Sequence, residues 1–298
     1  MLASAGIFIY LPQRRVMIKS NEEFVLGEPL YYALSLPKEL KRLKLLPISD
    51  VHYKNHLFSN THFTRALNML EDPETYAVLN GDLLEAVIKT SKGEIYEKLS
   101  PQQEAKWITD RLMPYKGKLL GMTMGNHEYR IFNSVGHDYC KDMAKALGIP
   151  YRPEGLLLKI SFGDNNNRTK GKPYTYFIYT THGYGGARTK SGKAVKVERV
   201  ATYIDADVYI MSHDHVVNVA PDVYLNPDPR THAEKDKDGN HTGFMIGSVK
   251  AKRKMLIKAG AFLKWGGYSE MGGFPPVDLE MPVITFAGTG KPEVRVLV

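Results

Sequence analysis

The sequence predicts an α/β fold of two packed β-sheets with helices outside, built as one domain. Three observations predict it. From Lys44 to Met211, apolar strand-like runs alternate with segments of helical spacing. Five of those runs end abruptly in Asp, His or Asn, as buried strands do when polar loops leave their carboxyl ends. After His215 the chain reads wholly β, in short runs separated by Gly, Pro and an Asp-Gly-Asn turn.

Taken in order, Leu45–Ile48 is the first core strand. Asn60 can cap a helix with Phe63, Ala66, Leu67 and Leu70 on one face, and Pro73 ends it. Tyr76–Leu79 is the second strand. Ser100, Pro101 and Gln103 form a helix start, with the helix running to about Met113. Leu119–Thr123 is the third strand, followed by a helix near Asp138–Leu147 that Gly148 and Pro150 close. Leu156–Phe162 and Tyr174–Thr180 flank a polar loop and predict a hairpin. Ala194–Ile204 reads as a helix and Val208–Met211 as a strand. Phe244–Val249, Lys254–Phe262, Val283–Phe286 and Val294–Val298 are the closing strands. Residues 1–43 carry no strand-end signal; short strands at Val16–Ile18 and Phe24–Val25 and a charged lead-in, Leu36–Leu43, suggest an accessory arm or edge hairpin on a main domain of residues 44–298.

The bulk numbers exclude several classes. At 298 residues with 43% hydrophobic and 24% charged content, the chain can bury a real core. No run reaches the roughly 20 apolar residues of a membrane span, so no membrane association is expected. Gly6–Leu11 is too short for such a span, and it lacks a basic start and a small-residue cleavage site, so no secretory signal is expected. The single Cys140 excludes an internal disulfide framework and suggests the reducing cytoplasm. Forty basic against 32 acidic residues give +8, which allows a nucleic-acid partner but equally a merely basic surface.

The chemistry lies at the strand ends. KLLPISDVH presents Asp50 and His52, YAVLNGD ends on Asp82, and LLGMTMGNHE presents Asn126 and His127. TYFIYTTHG ends on His182, and DVYIMSHDH delivers His213 and His215. Two apart in an extended strand, Asp50 and His52 would share a face and could turn to one metal. Gly81 permits a sharp turn into Asp82, whose two oxygens could bridge two cations. Mixed oxygen and imidazole donors without thiolate suit Mn, Fe, Zn, Co or Ni better than a structural zinc or a calcium cage. Two such ions about 3.5–4 Å apart can clamp a phosphate ester and generate hydroxide from bridging water.

The ordered motifs D-x-H at Asp50–His52, G-D at Gly81–Asp82, G-N-H-E at Gly125–Glu128, H-G at His182–Gly183 and x-H-x-H at Ser212–His215 resemble the calcineurin-like metallophosphoesterases. The resemblance spans about Lys44–His215, and the overall flavour is similar to prophage-type and bacterial members of uncharacterised substrate. It implies a four-layer αββα fold. It implies one divalent ion, Mn2+ before Fe, Zn, Ni, Co or Mg, on Asp50, His52, Asp82 and His215, and a second on Asp82, Asn126, His182 and His213. It implies that His127 serves the leaving group, oriented by Glu128 or another nearby carboxylate. Two departures stand out: Ser212 replaces the usual Gly of the last motif, which fits unless its φ is positive, and Tyr53–His56 lacks a Gly often found there.

Other residues carry weaker signals. Arg130 can reach substrate phosphate or be a solvated helix charge. The basic, glycine-rich segment Tyr184–Lys193, with Tyr184 and Arg188, reads as a substrate-gripping loop or an ordinary mobile one. His56 lies near the mouth. Phe262, Trp265 and Tyr268 read as core or rim, and Lys250–Lys254 as a solvated hairpin. The expected function is a dinuclear metal-dependent phosphoesterase, with phosphodiesterase or nuclease favoured over phosphomonoesterase or phosphoprotein phosphatase. A metal-binding scaffold without turnover is the non-enzymatic alternative.

Overall fold

A computed structural model describes residues 31–88, 91, 100–163 and 173–298, apart from the side chain of Tyr268. The strands expected at Val16–Ile18 and Phe24–Val25, and nearly all of the polar loop after Phe162, lie outside the described residues. Tyr31–Ser35, read with the arm, forms strand β1. The remaining elements are β2 (Arg42–Ile48), α1 (Asn60–Met69), β3 (Thr75–Asn80), α2 (Pro101–Leu112), β4 (Leu119–Thr123), α3 (Asn126–Val135), α4 (Tyr139–Leu147), β5 (Leu156–Phe162), β6 (Tyr174–Thr181), α5 (Lys190–Ala201), β7 (Val208–Met211), β8 (Asn218–Lys235), β9 (His241–Lys258), a single-turn α6 (Tyr268–Met271), β10 (Val283–Ala287) and β11 (Val294–Leu297).

These strands build two mixed sheets, ordered β1-β5-β6-β7-β9-β8 and β11-β10-β2-β3-β4. Strand alternation explains why they stack. In β5 to β7, Leu158, Ile160, Phe162, Tyr176, Ile178, Val208 and Ile210 point inward and meet Leu43, Leu45, Val78, Ile284 and Phe286 of the other sheet. The opposite faces are covered separately. Residues of α1, α2 and α4, including Phe63, Ile108 and Met143, pack on Leu46, Ile48 and Leu79. Val197 and Val200 of α5 pack on Tyr209 and Met211. Helices, sheet, sheet, helix is the four-layer αββα architecture that the resemblance implied.

The parallel runs β2-β3-β4 and β6-β7 bring their carboxyl ends to the inter-sheet edge. Several sequence expectations change. Helix α3, entertained only through the reading of Arg130 as a helix charge, was given no bounds because it begins inside the G-N-H-E motif; Glu128 caps it by accepting from the Gly125 N–H at 3.1 Å. Helix α5 starts at Lys190, capped by the Thr189 hydroxyl, so only residues 184–189 remain loop. Phe244–Val249 and the first half of Lys254–Phe262 belong to one long strand, β9, that ends at Lys258. Its partner β8 was missed because Pro221, Pro227 and Pro229 argue against a strand; at a sheet edge prolines are tolerated.

Two glycines let the tips of β3 and β4 approach. A Cβ at Gly125 would sit 2.1 Å from both the amide nitrogen and Oδ1 of Asp82. A Cβ at Gly81, where φ is +76°, would sit 2.6 Å from the Gly125 nitrogen. Gly125→Ala is therefore expected to cost about 3 kcal/mol or more in urea denaturation; a loss below about 1 kcal/mol would show that the tips need not touch.

Candidate metal centre

Asp50 and His52 leave β2, Asp82 leaves β3, Asn126 and His127 open α3 directly after β4, His182 leaves β6, and His213 and His215 leave β7. The exits run on side by side. Asp50 N–H donates to Gly81 O and His52 N–H to Asp82 O, each at 3.0 Å, and Ser212 N–H donates to His182 O at 3.0 Å. Asp50 and His52 do not reach the site by strand alternation, because β2 has already ended. They turn inward through left-handed backbone, at φ 50° and 47°. Asp82 (49°), His213 (71°) and His215 (55°) do the same, so five of the seven expected donors sit at positive φ without being glycine. Left-handed residues cost roughly 1–2 kcal/mol each, and such strain concentrates where side chains must be aimed for function.

The donors converge in two neighbouring groups. In one, Asp50 Oδ1 lies 3.1 Å from His215 Nε2, and His52 Nε2 lies 3.2 Å from His215 Nε2 and 3.8 Å from Asp82 Oδ2. In the other, His182 Nε2 lies 3.2 Å from Asp82 Oδ2 and 3.0 Å from Asn126 Oδ1. His213 Nδ1 completes it, 2.7 Å from Asn126 Oδ1 and 3.3 Å from His182 Nε2. Donors bound at about 2.1 Å to one ion lie about 3.0–3.4 Å apart; the His215 contacts to Asp50 and His52 and the His182 contacts to Asp82, Asn126 and His213 have that spacing. Asp82 Oδ2 belongs to the second group and lies 3.8 Å from His52 Nε2 of the first.

The outward faces of the rings set their tautomers. His182 Nδ1 donates to Asn80 O at 2.9 Å, His213 Nε2 to Gly185 O at 2.6 Å, and His52 Nδ1 to the Glu85 carboxylate at 3.1 Å. In each neutral ring the inward nitrogen is then a lone pair aimed at other acceptors. Asp50 Oδ1 is buried with no hydrogen-bond donor. Such a set is short of positive charge. Burial pulls His182 down, yet the Asp82 carboxylate beside it pushes it up to about 9. His52 is likewise raised, against burial, by Asp50 and Glu85. Burial opposes the charge on Asp82, but His182 and His127 hold its carboxyl below the usual carboxylate range. The residues fit a divalent cation: without one, the pocket draws protons onto its imidazoles.

His127 is arranged differently. Its Nδ1 donates to the Glu85 carbonyl at 2.8 Å, with the Glu85 carboxylate 3.7 Å away. Its ring stands edge-on to His52, and Nε2 is 3.9 Å from Asp82 Oδ2. Burial lowers it to about 4, although Asp82 works in the opposite direction. Glu85 is therefore the carboxylate beside it. Glu128 turns away and accepts from the N–H groups of Asp82, Leu84 and Gly125. In return, the His127 N–H at the start of α3 donates to Asp82 Oδ1 at 2.8 Å, so a helix N-terminus supports that carboxylate.

The four substrate-contact candidates lie outside this convergent set. Arg130 donates to Ser91 Oγ at 2.8 Å, and the Arg188 guanidinium lies 5.8 Å from the Phe274 ring centroid. Tyr184 is half exposed, and His56 is exposed beside the Gly266–Gly267 turn. The basic run Lys250–Lys254 is not simply solvated: Lys250 pairs with Asp228, and Lys252 and Lys254 pair with Asp205. Phe262 is core, against Phe63.

Sequence reasoning missed the supports. Lys258 and Lys196 each place Nζ 2.6 Å from the Asp214 carboxylate, between the two histidines, and Lys193 Nζ donates to the Asp214 carbonyl at 3.0 Å. Lys193, read as part of the loop, is buried in α5. Ser212, whose φ is not positive, accepts from Asn80 Nδ2 at 2.6 Å. Glu104 accepts from the N–H groups of Glu85 and Ala86 and so holds the turn that carries Glu85.

No protein-family model and no curated protein matches the chain. Among solved structures it is similar to vacuolar protein sorting 29 from Cryptosporidium parvum, at 14% identity over 86% of this chain and 97% of that one, with a TM-score of 0.40. It is also similar to the calcineurin-like phosphoesterase YfkN from Bacillus subtilis, at 11% identity over 86% and 90%, with a TM-score of 0.40. A metallophosphoesterase from Sphaerobacter thermophilus is similar at 12% identity over 82% and 83%, with a TM-score of 0.34. The chemical reading rests on the side chains themselves.

Burial, with the charges of Glu85 and Glu128 adding to it, pushes Glu104 up to about 7 from 4.5, outweighing its two backbone N–H bonds. A raised folded-state value means its stabilising contribution is complete below about pH 4.5 and is lost as pH rises through about 7. The loss is up to about 3 kcal/mol. Glu104→Gln keeps an acceptor but does not titrate. In urea denaturation its stability relative to the unaltered chain should rise between about pH 5 and pH 8; a pH-independent difference would contradict a buried, proton-holding Glu104.

Proposed function

We propose that the chain is a phosphoester hydrolase that works with two divalent cations, Mn2+ foremost. The observation that carries this reading is the convergence of strand-end side chains into two neighbouring groups, Asp50, His52 and His215 in one and Asp82, His182 and His213, with Asn126, in the other. Asp50, His52, Asp82 and His215 would hold one ion, and Asp82, Asn126, His182 and His213 the other. When bound, such a pair neutralises phosphoryl oxygens and supplies hydroxide at neutral pH.

The chain's own part falls to His127 and its surroundings. With Nδ1 committed to the Glu85 carbonyl, only Nε2 is free to meet substrate. A phosphate ester docked against Nε2 favours the imidazolium, which then donates to the departing alkoxide oxygen. Diesters are the preferred class. A monoester dianion needs cationic side chains beyond the metals, and Arg130 and Arg188 are turned to Ser91 and Phe274 instead. The net charge of +8 suits a polyanionic diester, which makes nucleic acid the substrate to try first.

With Mn2+ supplied, the chain should hydrolyse bis-p-nitrophenyl phosphate and single-stranded DNA or RNA faster than p-nitrophenyl phosphate or a phosphopeptide. Turnover of the monoesters alone would overturn the diester assignment, and no turnover at full metal loading would leave a metal-binding scaffold. His127→Ala should lose about 10²–10⁴-fold in kcat on an unactivated diester while keeping its metal; undiminished kcat there would remove His127 from the reaction. Asp82→Asn should lower metal content at both positions when measured by elemental analysis. Two ions per chain in that variant would rule out Asp82 as the shared ligand.

A further inference from the structure

Strands β8 and β9 pair from Asn218↔Lys258 out to Lys235↔His241, but β7 covers β9 only at Met255–Lys258. Among the described residues, from Lys254 outward they form a two-stranded arm with no third strand. Residues paired directly across share a face. One face carries Val223↔Arg253, Leu225↔Ala251, Pro227↔Val249 and, further out, Ala233↔Met245. It continues the inward face of the six-stranded sheet, where Ile257 lies between the two sheets. The core-facing alternation thus persists well past the edge of the core. Leu225 is 73% exposed, Met245 63% and Val249 56%. At the tip the other face turns apolar too, with Phe244 69% exposed and Ile246 beside it, and His241–Val249 contains no Asp, Glu, Lys or Arg.

The root of that second face is already neutralised. Lys250 and Arg230 pair with Asp228, Lys252 pairs with Asp205, and Lys254 lies 4.1 Å from the Tyr224 ring centroid. A nucleic-acid backbone would find spent lysines there and apolar side chains opposite. A lone two-stranded ribbon is marginal in water, so the uncovered face calls for protein against it.

Area identifies the occupant. Strand spacings make the arm about 40 Å long and about 10 Å wide, roughly 400 Å² on one face. Two arms packed only on each other bury about 800 Å², below the roughly 1,200–2,000 Å² of stable interfaces. Two arms each lying on the body of the other copy bury about 1,600 Å², which is standard for a stable complex. We propose that the β8–β9 arm is a dimerisation arm, exchanged between two copies of this chain about a twofold axis, each apolar face covered by the other copy's body. The inference is independent of the reading of the metal centre.

The full chain, examined by light scattering after gel filtration at micromolar concentration, should weigh twice its 33.6 kDa. The double variant Leu225→Lys with Met245→Lys alters only exposed side chains. It should weaken the dimer at least about 100-fold and leave circular dichroism and metal uptake unchanged. A shortened arm, with residues 227–249 replaced by an Asn-Gly turn, should give the same monomer. A monomeric unaltered chain overturns the proposal, as does a dimer untouched by these changes. A monomer whose arm binds duplex DNA or anionic vesicles also overturns it, in favour of those partners.

Discussion

The side chain of Asn80 ties the two sheets together at the edge where the chemistry sits. Its Oδ1 accepts from Thr123 of β4 and Thr180 of β6, and its Nδ2 donates to Thr181 O and to Ser212 just past β7. Its carbonyl takes the proton of His182 Nδ1. One fully buried amide thus satisfies all its hydrogen-bonding capacity against strands of both sheets. A buried polar network is favourable only when every member is paired, and this one is. It also explains why Ser stands where a Gly is common: Ser212 supplies an acceptor that Gly lacks.

That brace carries a strained load. Asp50, His52, Asp82, His213 and His215 are held in left-handed backbone that costs roughly 5–10 kcal/mol together, comparable with the whole stability of many domains. The offset comes from groups with no place in the reaction. Glu128 satisfies three N–H groups of the Asp82 and Gly125 turns, and Glu104 satisfies two around Glu85. Lys258 and Lys196 hold Asp214, and Lys258 also donates to Ser212 O at 2.7 Å. A buried ion pair of this kind roughly breaks even against apolar packing, while losing one partner costs several kcal/mol. Its value here is geometric, since it fixes the direction of the two flanking imidazoles.

The convergence of the seven candidate donors and His127 was legible because each follows an apolar run, and a buried strand has nowhere to put such a residue except at its end. The two-sheet architecture was legible for the same reason, through strands buried on both faces. What stayed hidden depended on contacts distant in sequence. Asn80 and Thr123 look like ordinary strand-end polar residues until Thr123 donates to Asn80 and Asn80 meets Thr180 and Thr181 of β6. Lys193 looked like part of a basic loop, and only the Asp214 carbonyl, 21 residues on, buries it. Helix α3 was masked by its own motif, whose polar residues serve the site rather than a helical face. Strand β8 was masked by prolines, because edge position is a property of the sheet and not of the segment.

These supports make the loop at the mouth and the donor loop one mechanical unit. Helix α5 begins where residues 184–189 end, and its Lys193 and Lys196 grip Asp214. From the other side, Gly185 O receives the proton of His213 Nε2. A displacement of the loop therefore changes both the tautomer-setting bond of His213 and the clamp behind it. The coupling ties the position of this glycine-rich segment to the geometry of His213. The arm's root joins the same frame, since Lys252 and Lys254 anchor on Asp205 beyond the end of α5. The two sets of cations are distinct, Lys252 and Lys254 holding Asp205 at the arm's root and Lys193, Lys196 and Lys258 holding Asp214 between the two histidines.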